Sequence, residues 1–452
     1  SLFEGLKLSE KSLFDSSKRD NCKYPLLQVL SLLVMFPCFM IRNPFAYENS
    51  SLGHLFGGDK DVFYRFLNSD SYDWRHILLR ITLRLWNKVR VRTDHKGQPV
   101  CLIVDDTDLP KTGRQMEKIG RIFSHVHHKA ILGFKALAMA LSDGKSQFLL
   151  DFAIVGEPGK NGNYSMSDKE IARRYVCDHK EDTAGAARIG EYSQSKIHLM
   201  KEMIKRAIKA GVRFDYVLAD SWFACADIIR FIHTRHIKCH YLGMIKMGES
   251  KTQYSFEGYK MKASEIVRIV KGRKDVKYSR LLKCNYITAD AIFAGVKVRL
   301  FFVRRGKRGE WCGLITTDTK LEFLKAYKLY SMRWAIEVIF RDCKQNLALG
   351  KSASKHFNAQ VAHTAITCIQ YNLLSVAKRF NDYETIGELF AHCQQEAMEL
   401  TVAERIWEVI LEMAHILGEL FGISEDVIIE TIVCKCDKLA HIGIILQQRK
   451  AA

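Results

Sequence analysis

The sequence predicts an α/β fold, α+β overall: a mixed sheet covered by helices, a β-rich insertion, and helical regions at both ends. Three observations predict it. The runs Gly133–Leu141 and Gln147–Val155 are aliphatic and aromatic, and the turn pair Asp143-Gly144 between them is a hairpin signal. From Ser193 onward helical and strand periods alternate, as they do when helices cross over a sheet. Residues 246–311 instead alternate Lys or Arg with β-branched and aromatic residues.

In chain order, residues 1–95 read as a helical region that suits DNA binding. Asp61–Leu67 and Trp74–Val91 have helical periodicity, and the second carries Arg75, Arg80, Arg84, Lys88 and Arg90, with Arg92 just beyond. Such a helix either tracks a DNA backbone or presents a solvated face. Pro25–Ile41 is apolar, but it is at the lower length limit for a membrane span and contains Gln28, Ser31 and Pro37. It reads as a buried core helix. Residues 96–245 form the first part of the core: the strand Val100–Asp105, the hairpin, a helix over Ser193–Ala210, the strand Tyr216–Ala219, a helix over Ala226–Thr234 and the strand Cys239–Ile245. Residues 246–311 form a basic β insertion that includes Val267-Arg-Ile-Val and Val298-Arg-Leu-Phe-Phe-Val. Residues 312–352 complete the core with one long helix over 321–348. Residues 353–452 form a C-terminal helical region, strongly amphipathic over Thr401–Phe421.

Charge sharpens this division. The chain of 452 residues carries a formal +19. Residues 353–452 hold 8 basic and 13 acidic residues, net −5, which leaves 61 against 37, net +24, for the rest. A basic body points to a polyanion, most simply nucleic acid, and an acidic helical tail to protein. The 13 cysteines are scattered and no Cys-x-x-Cys pair occurs, so neither a zinc finger nor a disulfide scaffold is indicated. With no secretory signal and no membrane span, a reduced cytosolic protein is expected.

The most informative stretch is Tyr330 to Lys344. At about 100° per residue, Tyr330, Arg333, Glu337 and Lys344 fall within an arc of roughly 60°. Ile336, Phe340, Cys343 and Leu347 lie beside that arc, so the helix can pack while aiming its polar stripe into a site. A carboxylate between cations suits a metal ion next to a phosphate. Arg333 and Glu337 alone equally suit a surface i,i+4 ion pair. Two further acids end apolar runs: Asp106 follows Cys101-Leu-Ile-Val104-Asp105, and Asp220 follows Tyr216-Val-Leu-Ala219. Acids at the ends of adjacent strands converge at one sheet edge. With Glu337 they form a cage for two Mg²⁺ or Mn²⁺ ions about 3.5–4 Å apart, suited to in-line attack at phosphorus. Asp105 and Asp108 compete with Asp106 for that role, and an Asp at a strand end is often only a turn or cap residue.

Asp106-Thr107, Asp220 and the Tyr330/Arg333/Glu337/Lys344 set resemble the DDE insertion-sequence transposases that bear the Y-R-E-K signature (insertion-sequence family four), over roughly residues 100–350. The resemblance implies an RNase H-like core, a pair of divalent ions on Asp106, Asp220 and Glu337, and cut-and-paste DNA transposition in a bacterial cytoplasm. Cleavage falls at the terminal inverted repeats and strand transfer joins the freed ends to target DNA. It also implies that Tyr330, Arg333 and Lys344 contact DNA near the cleaved end. Trp311 resembles a tryptophan that stacks on a flipped base, though a strand Trp also suits a core. Trp334 matches the pattern beside Arg333. Asp220-Ser-Trp-Phe223 departs from it by lacking a basic residue directly after the acid. Arg304, Arg305 and the turn after them suit DNA phosphates or a solvated turn. His125-Val-His127-His128 reads as a phosphate-facing or surface cluster. Two DNA ends handled together imply a homodimer, for which the acidic tail is the expected element. Two alternatives are a catalytically silent DNA-binding relative and a metal-dependent nuclease without strand transfer.

Overall fold

Strand β1 (Cys101–Pro110) is an interior strand of a twelve-stranded mixed sheet in the computed structural model. The structure describes residues 6–14, 23–50, 56–92, 99–234, 237–248, 250–306, 308–380 and 384–395, with Gly53 and scattered positions between 411 and 431. The other strands are β2 (Gly120–Ser124), β3 (Lys129–Ser142), β4 (Gln147–Val155), β5 (Tyr216–Ala219), β6 (His240–Ile245), β7 (Gln253–Phe256), β8 (Tyr259–Lys262), β9 (Lys277–Ser279), β10 (Cys284–Phe293), β11 (Val296–Arg305) and β12 (Cys312–Thr316). Their order is β2-β3-β1-β5-β6-β12-β11-β10-β7-β8, with β4 also on β3 and β9 on β10. β4, β3 and β1 are antiparallel, whereas β5 and β6 run parallel to β1. This order is consistent with the RNase H-like core that the resemblance implies. The insertion is no separate body: β12 pairs with β6 and carries the sheet on into β11 and β10.

The reason β1 is an interior strand lies in its composition. Cys101, Leu102, Ile103 and Val104 are all fully buried, the continuous apolar run of a strand covered on both faces. Each such aliphatic side chain contributes about 1.5–3 kcal/mol on burial. Beyond Val104 the strand turns polar, and there the chemistry begins.

The principal helices are α1 (Lys60–Asn68), α2 (Trp74–Arg92), α3 (Ala184–Glu191), α4 (Lys196–Lys209), α5 (Ala226–Thr234), α6 (Ala263–Gly272), α7 (Phe323–Ser331), α8 (Trp334–Asn346) and α9 (Phe357–Phe380). α2 buries Trp74, Ile77, Leu78, Ile81, Leu85, Trp86 and Val89 at helical spacing, against β4 and α9. Arg80, Arg84, Lys88 and Arg90 are on its exposed side. Arg75 is not. It turns inward to Asp151 at 2.8 Å and Glu191 at 2.8 Å, and Arg206 meets Asp151 at 2.7 Å, a buried network that ties α2, α3 and α4 to β4. Asn372 of α9 bonds the backbone of Leu149 in β4, whose pairing with β3 shifts register beside Met139 and Ala140. Its side chain accepts from Leu149 N at 2.7 Å and donates to Leu149 O at 2.8 Å. α9 thus belongs to the same compact unit as the sheet, which spans residues 1–34 and 57–382.

Two local expectations are corrected. Val267-Arg-Ile-Val lies in helix α6, where Ala263, Ile266, Val267 and Val270 are buried at helical spacing. The single helix expected over 321–348 is two helices. Met332 and Arg333 keep helical dihedrals, but their N–H groups bond Leu329 O and Tyr330 O, three residues back, and tighten the chain between α7 and α8.

The apolar N-terminal segment forms a ten-residue helix, Leu26–Met35, with Leu26, Val29, Leu30, Leu33 and Val34 buried. Among the described residues no helix is long and apolar enough to cross a membrane. A second compact unit comprises residues 35–56 and 383–452. In it Phe36 stacks on Tyr47 at 5.2 Å, Asn43 caps Pro44–Glu48, and Gln394 donates to Pro37 O at 3.0 Å. The amphipathic stretch Thr401–Phe421 lies almost wholly outside the described residues.

Candidate active site

β1 continues past Val104 as Asp105, Asp106, Thr107 and Asp108, and strand alternation sends these side chains to opposite faces. The register pairs Val104 with Ala219, so Asp105 comes level with Asp220 at the end of β5. Asp220 ends that strand by accepting the Trp222 N–H at 2.8 Å, a turn closed by its own side chain. α8 packs against β1 and brings the helix stripe to these acids.

Two contacts dock it. Arg333 Nη1 meets Asp105 Oδ2 at 2.8 Å, while Nη2 of the same guanidinium bonds Glu337 Oε1 one turn further on. Lys344 Nζ donates to Thr107 Oγ1 at 2.7 Å. The Arg333 guanidinium also stands 5.8 Å from the centre of the Tyr330 ring. A cleft of about 470 Å³ opens beside these groups, lined by Asp105, Asp106, Thr107, Glu337, Phe340, Arg341, Lys344 and Gln345.

Asp106 lines this cleft but spends its carboxylate elsewhere. Lys196 Nζ lies 3.2 Å from Asp106 Oδ2, and Lys135 Nζ lies 3.6 Å from the same oxygen. Lys135 is nearly fully buried and bonds its cross-strand partner Asp108 at 2.8 Å. The sequence points to Asp106 as the first acid of the cage; the residue that shares a cation with Glu337 is Asp105.

The electrostatics follow from burial and neighbours. Burial pushes the Asp105 carboxyl up to about 7, and the nearby Asp220 and Asp106 charges add to the rise against the Asp106 N–H and Arg333. Burial lifts the Tyr330 phenol to about 12 and lowers the Lys344 ammonium. For Asp108, burial is outweighed by the Lys135 and Ser124 hydrogen bonds, so its carboxyl sits below the usual range.

Other expected residues lie apart from the cleft lining. Arg304 at the end of β11 stands over the Trp311 ring at 5.1 Å, and Arg305 donates to the Tyr327 hydroxyl of α7. Trp334 is 62% exposed at the start of α8. His125, His127 and His128 are exposed in the turn between β2 and β3.

Hard carboxylate oxygens are the right donors for Mg²⁺ or Mn²⁺. The Arg333 guanidinium, already held by Asp105 and Glu337, marks a place where the fold accommodates positive charge. As the side chains stand, no three Asp, Glu, His or Cys groups among the described residues converge closely enough to hold an ion.

Fold and site together define a class: a mixed-sheet protein with an acid on β1 where its pairing with β5 stops, a second acid at the end of β5, and a third on a helix packed against β1. Residues 52–246 match the family model of the DDE superfamily endonucleases, and residues 174–373 match that of the transposase DDE domain. The first covers Asp105, Asp106 and Asp220; the second covers Asp220, the insertion and α7–α8. They support a DDE-type transposase or related endonuclease and imply a DNA substrate. No individual curated protein matches the chain.

Proposed function

We propose that the protein is a cut-and-paste DNA transposase of the insertion-sequence type with the Y-R-E-K signature, acting as a pair of chains on the two ends of its element. The observation that carries this reading is the shared guanidinium: Arg333 bonds Asp105 of β1 and Glu337 of α8, with Asp220 level with Asp105 on the next strand.

Asp105, Asp220 and Glu337 would hold two Mg²⁺ or Mn²⁺ ions, which activate water or a 3′-hydroxyl and stabilise the leaving oxygen. Asp106, the first acid named by the sequence, serves here to hold Lys196. Arg333 moves from the carboxylates to a phosphate of the DNA end, and its planar fork suits either partner. Lys344 and Tyr330 extend the grip along the same strand. Trp334 and Trp311 offer aromatic faces for an unstacked base, with Arg304 and Arg305 on adjoining phosphates.

The test is Mg²⁺-dependent nicking and joining of duplexes taken from the DNA that borders the reading frame. Nicks at the repeat ends with joined products are expected. Nicks without joining would reduce the protein to a nuclease, and binding without nicking to a DNA-binding relative.

A further inference from the structure

Lysines of this unit that are partly or fully buried use their protons differently, as Lys111, Lys135 and Lys196 show. Lys111 donates to Gly350 O at 2.7 Å, Ser352 O at 2.9 Å and Gln360 Oε1 at 2.6 Å, so all three N–H groups are spent on the fold. Lys135 is ringed by the carboxylates of Asp108, Asp106 and Glu157 at 2.8–3.6 Å. Lys196 has one hydrogen-bond acceptor among the described residues, Asp106 Oδ2 at 3.2 Å. Its other contact is the Trp222 ring, whose centre is 4.2 Å from Nζ. A ring face holds an ammonium by cation–π attraction without taking up its N–H groups.

The placement is as telling as the contacts. Lys196 is the first residue of α4, capped by Ser195, with no acid in the first turn. A cation there opposes the helix macrodipole, so local helix physics does not favour it. What holds it are Asp106, adjacent to Asp105, and Trp222, whose N–H is fixed by Asp220. The Lys196 side chain is 17% exposed and lies between Asp106 of β1 and Trp222 of the turn after β5. Trp222 is 43% exposed beside it.

We propose that Lys196, locked between Asp106 and the Trp222 ring with N–H groups unspent, is a DNA-phosphate contact beside the active cleft. It supplies from α4 a positive charge at the Asp220 turn, where the chain Asp220-Ser-Trp-Phe has none. Its ligand is a phosphodiester of the strand that passes the acids. This rests on the transposase reading above.

Binding of the full chain to a duplex from the bordering DNA, followed by fluorescence anisotropy over a NaCl series, tests it. One phosphate contact contributes about 0.9 to the slope of log K against log salt. Lys196→Gln is expected to reduce the slope by about that amount and to weaken binding about tenfold at low salt, with Lys196→Arg restoring both. Trp222→Ala is expected to shift the slope in the same direction. A Lys196→Gln slope and affinity equal to wild type would overturn the proposal. So would a loss that Lys196→Arg does not restore and that tracks a lowered thermal midpoint, since the lysine would then be structural. A wild type that prefers the bordering duplex to no greater degree than an unrelated one contradicts the transposase reading instead, and the slope comparison on either duplex still judges the lysine.

Discussion

Arg333 and Asp105 are 228 residues apart in sequence and 2.8 Å apart in space. Through this contact the last helix of the core is fastened to the first strand, and through the same guanidinium Glu337 is drawn to the same point. Under the proposed function Arg333 has two mutually exclusive partners, the carboxylates or a DNA phosphate. Arg333→Ala is therefore expected to strengthen Mn²⁺ binding in the absence of DNA and to weaken DNA-end binding, each by about tenfold or more, the scale of one charge-assisted hydrogen bond of about 1.5–3 kcal/mol. Electron paramagnetic resonance of free Mn²⁺ and anisotropy of a labelled duplex read the two effects. A variant that loses both together would contradict the exchange of partners.

Glu337→Gln keeps the shape of the side chain and removes its charge. Nicking is expected to fall by about a thousandfold, while duplex affinity stays within about twofold because Arg333 and Lys344 remain. Lys344→Ala should show the reverse pattern, losing the Thr107 bond and one phosphate contact. Its duplex affinity falls about tenfold and its salt slope by about 0.9. Rates and affinities measured on the same preparations decide whether chemistry and grip divide in this way.

Lys111 offers a pH test of packing. Burial lowers its ammonium from the ordinary 10.5 to about 8. Between those values the unfolded chain holds a proton that the folded protein has released, so stability should rise with pH across that window. Below it, where both states are protonated, the buried charge is a standing penalty. Lys111→Met is expected to lack the rise, as read by urea unfolding at intervals from pH 7 to 10.5. A variant curve parallel to wild type would show that another group is responsible.

The network around Asp151 should matter for stability and not for chemistry. Asp151→Ala leaves Arg75 and Arg206 without their shared carboxylate in a buried setting. A loss of about 3–5 kcal/mol is expected from denaturant unfolding, with nicking per folded molecule unchanged at low temperature. Nicking lost without a loss of stability would place this network in the site.

What was legible in the sequence follows the range of the forces that set it. The β3–β4 hairpin, β5, α4 and α5 are written in local periodicity and turn residues, and they stand close to where the sequence places them. Val267-Arg-Ile-Val fits both periods over four residues, and only the partners of Ile266 and Val270 decide for helix α6. The tightened turn at Met332 and Arg333 has no proline or glycine to announce it. The choice between Asp105 and Asp106 is the sharpest case. Both follow the same apolar run, and which carboxylate faces α8 is fixed by pairing with β5 more than a hundred residues on. Lys196 carries no motif at all; its meaning comes from Asp106, 90 residues earlier in the chain.

The most direct measurement compares Asp105→Asn with Asp106→Asn, reading Mn²⁺ binding by electron paramagnetic resonance alongside Mg²⁺-dependent nicking of the bordering duplex. Asp105→Asn is expected to lose both Mn²⁺ binding and nicking, and the same is expected of Asp220→Asn and Glu337→Gln. Asp106→Asn is expected to keep Mn²⁺ binding and to weaken DNA affinity by releasing Lys196. If Asp105→Asn binds Mn²⁺ and nicks like wild type while Asp106→Asn does neither, Asp105 is not the first acid of the site.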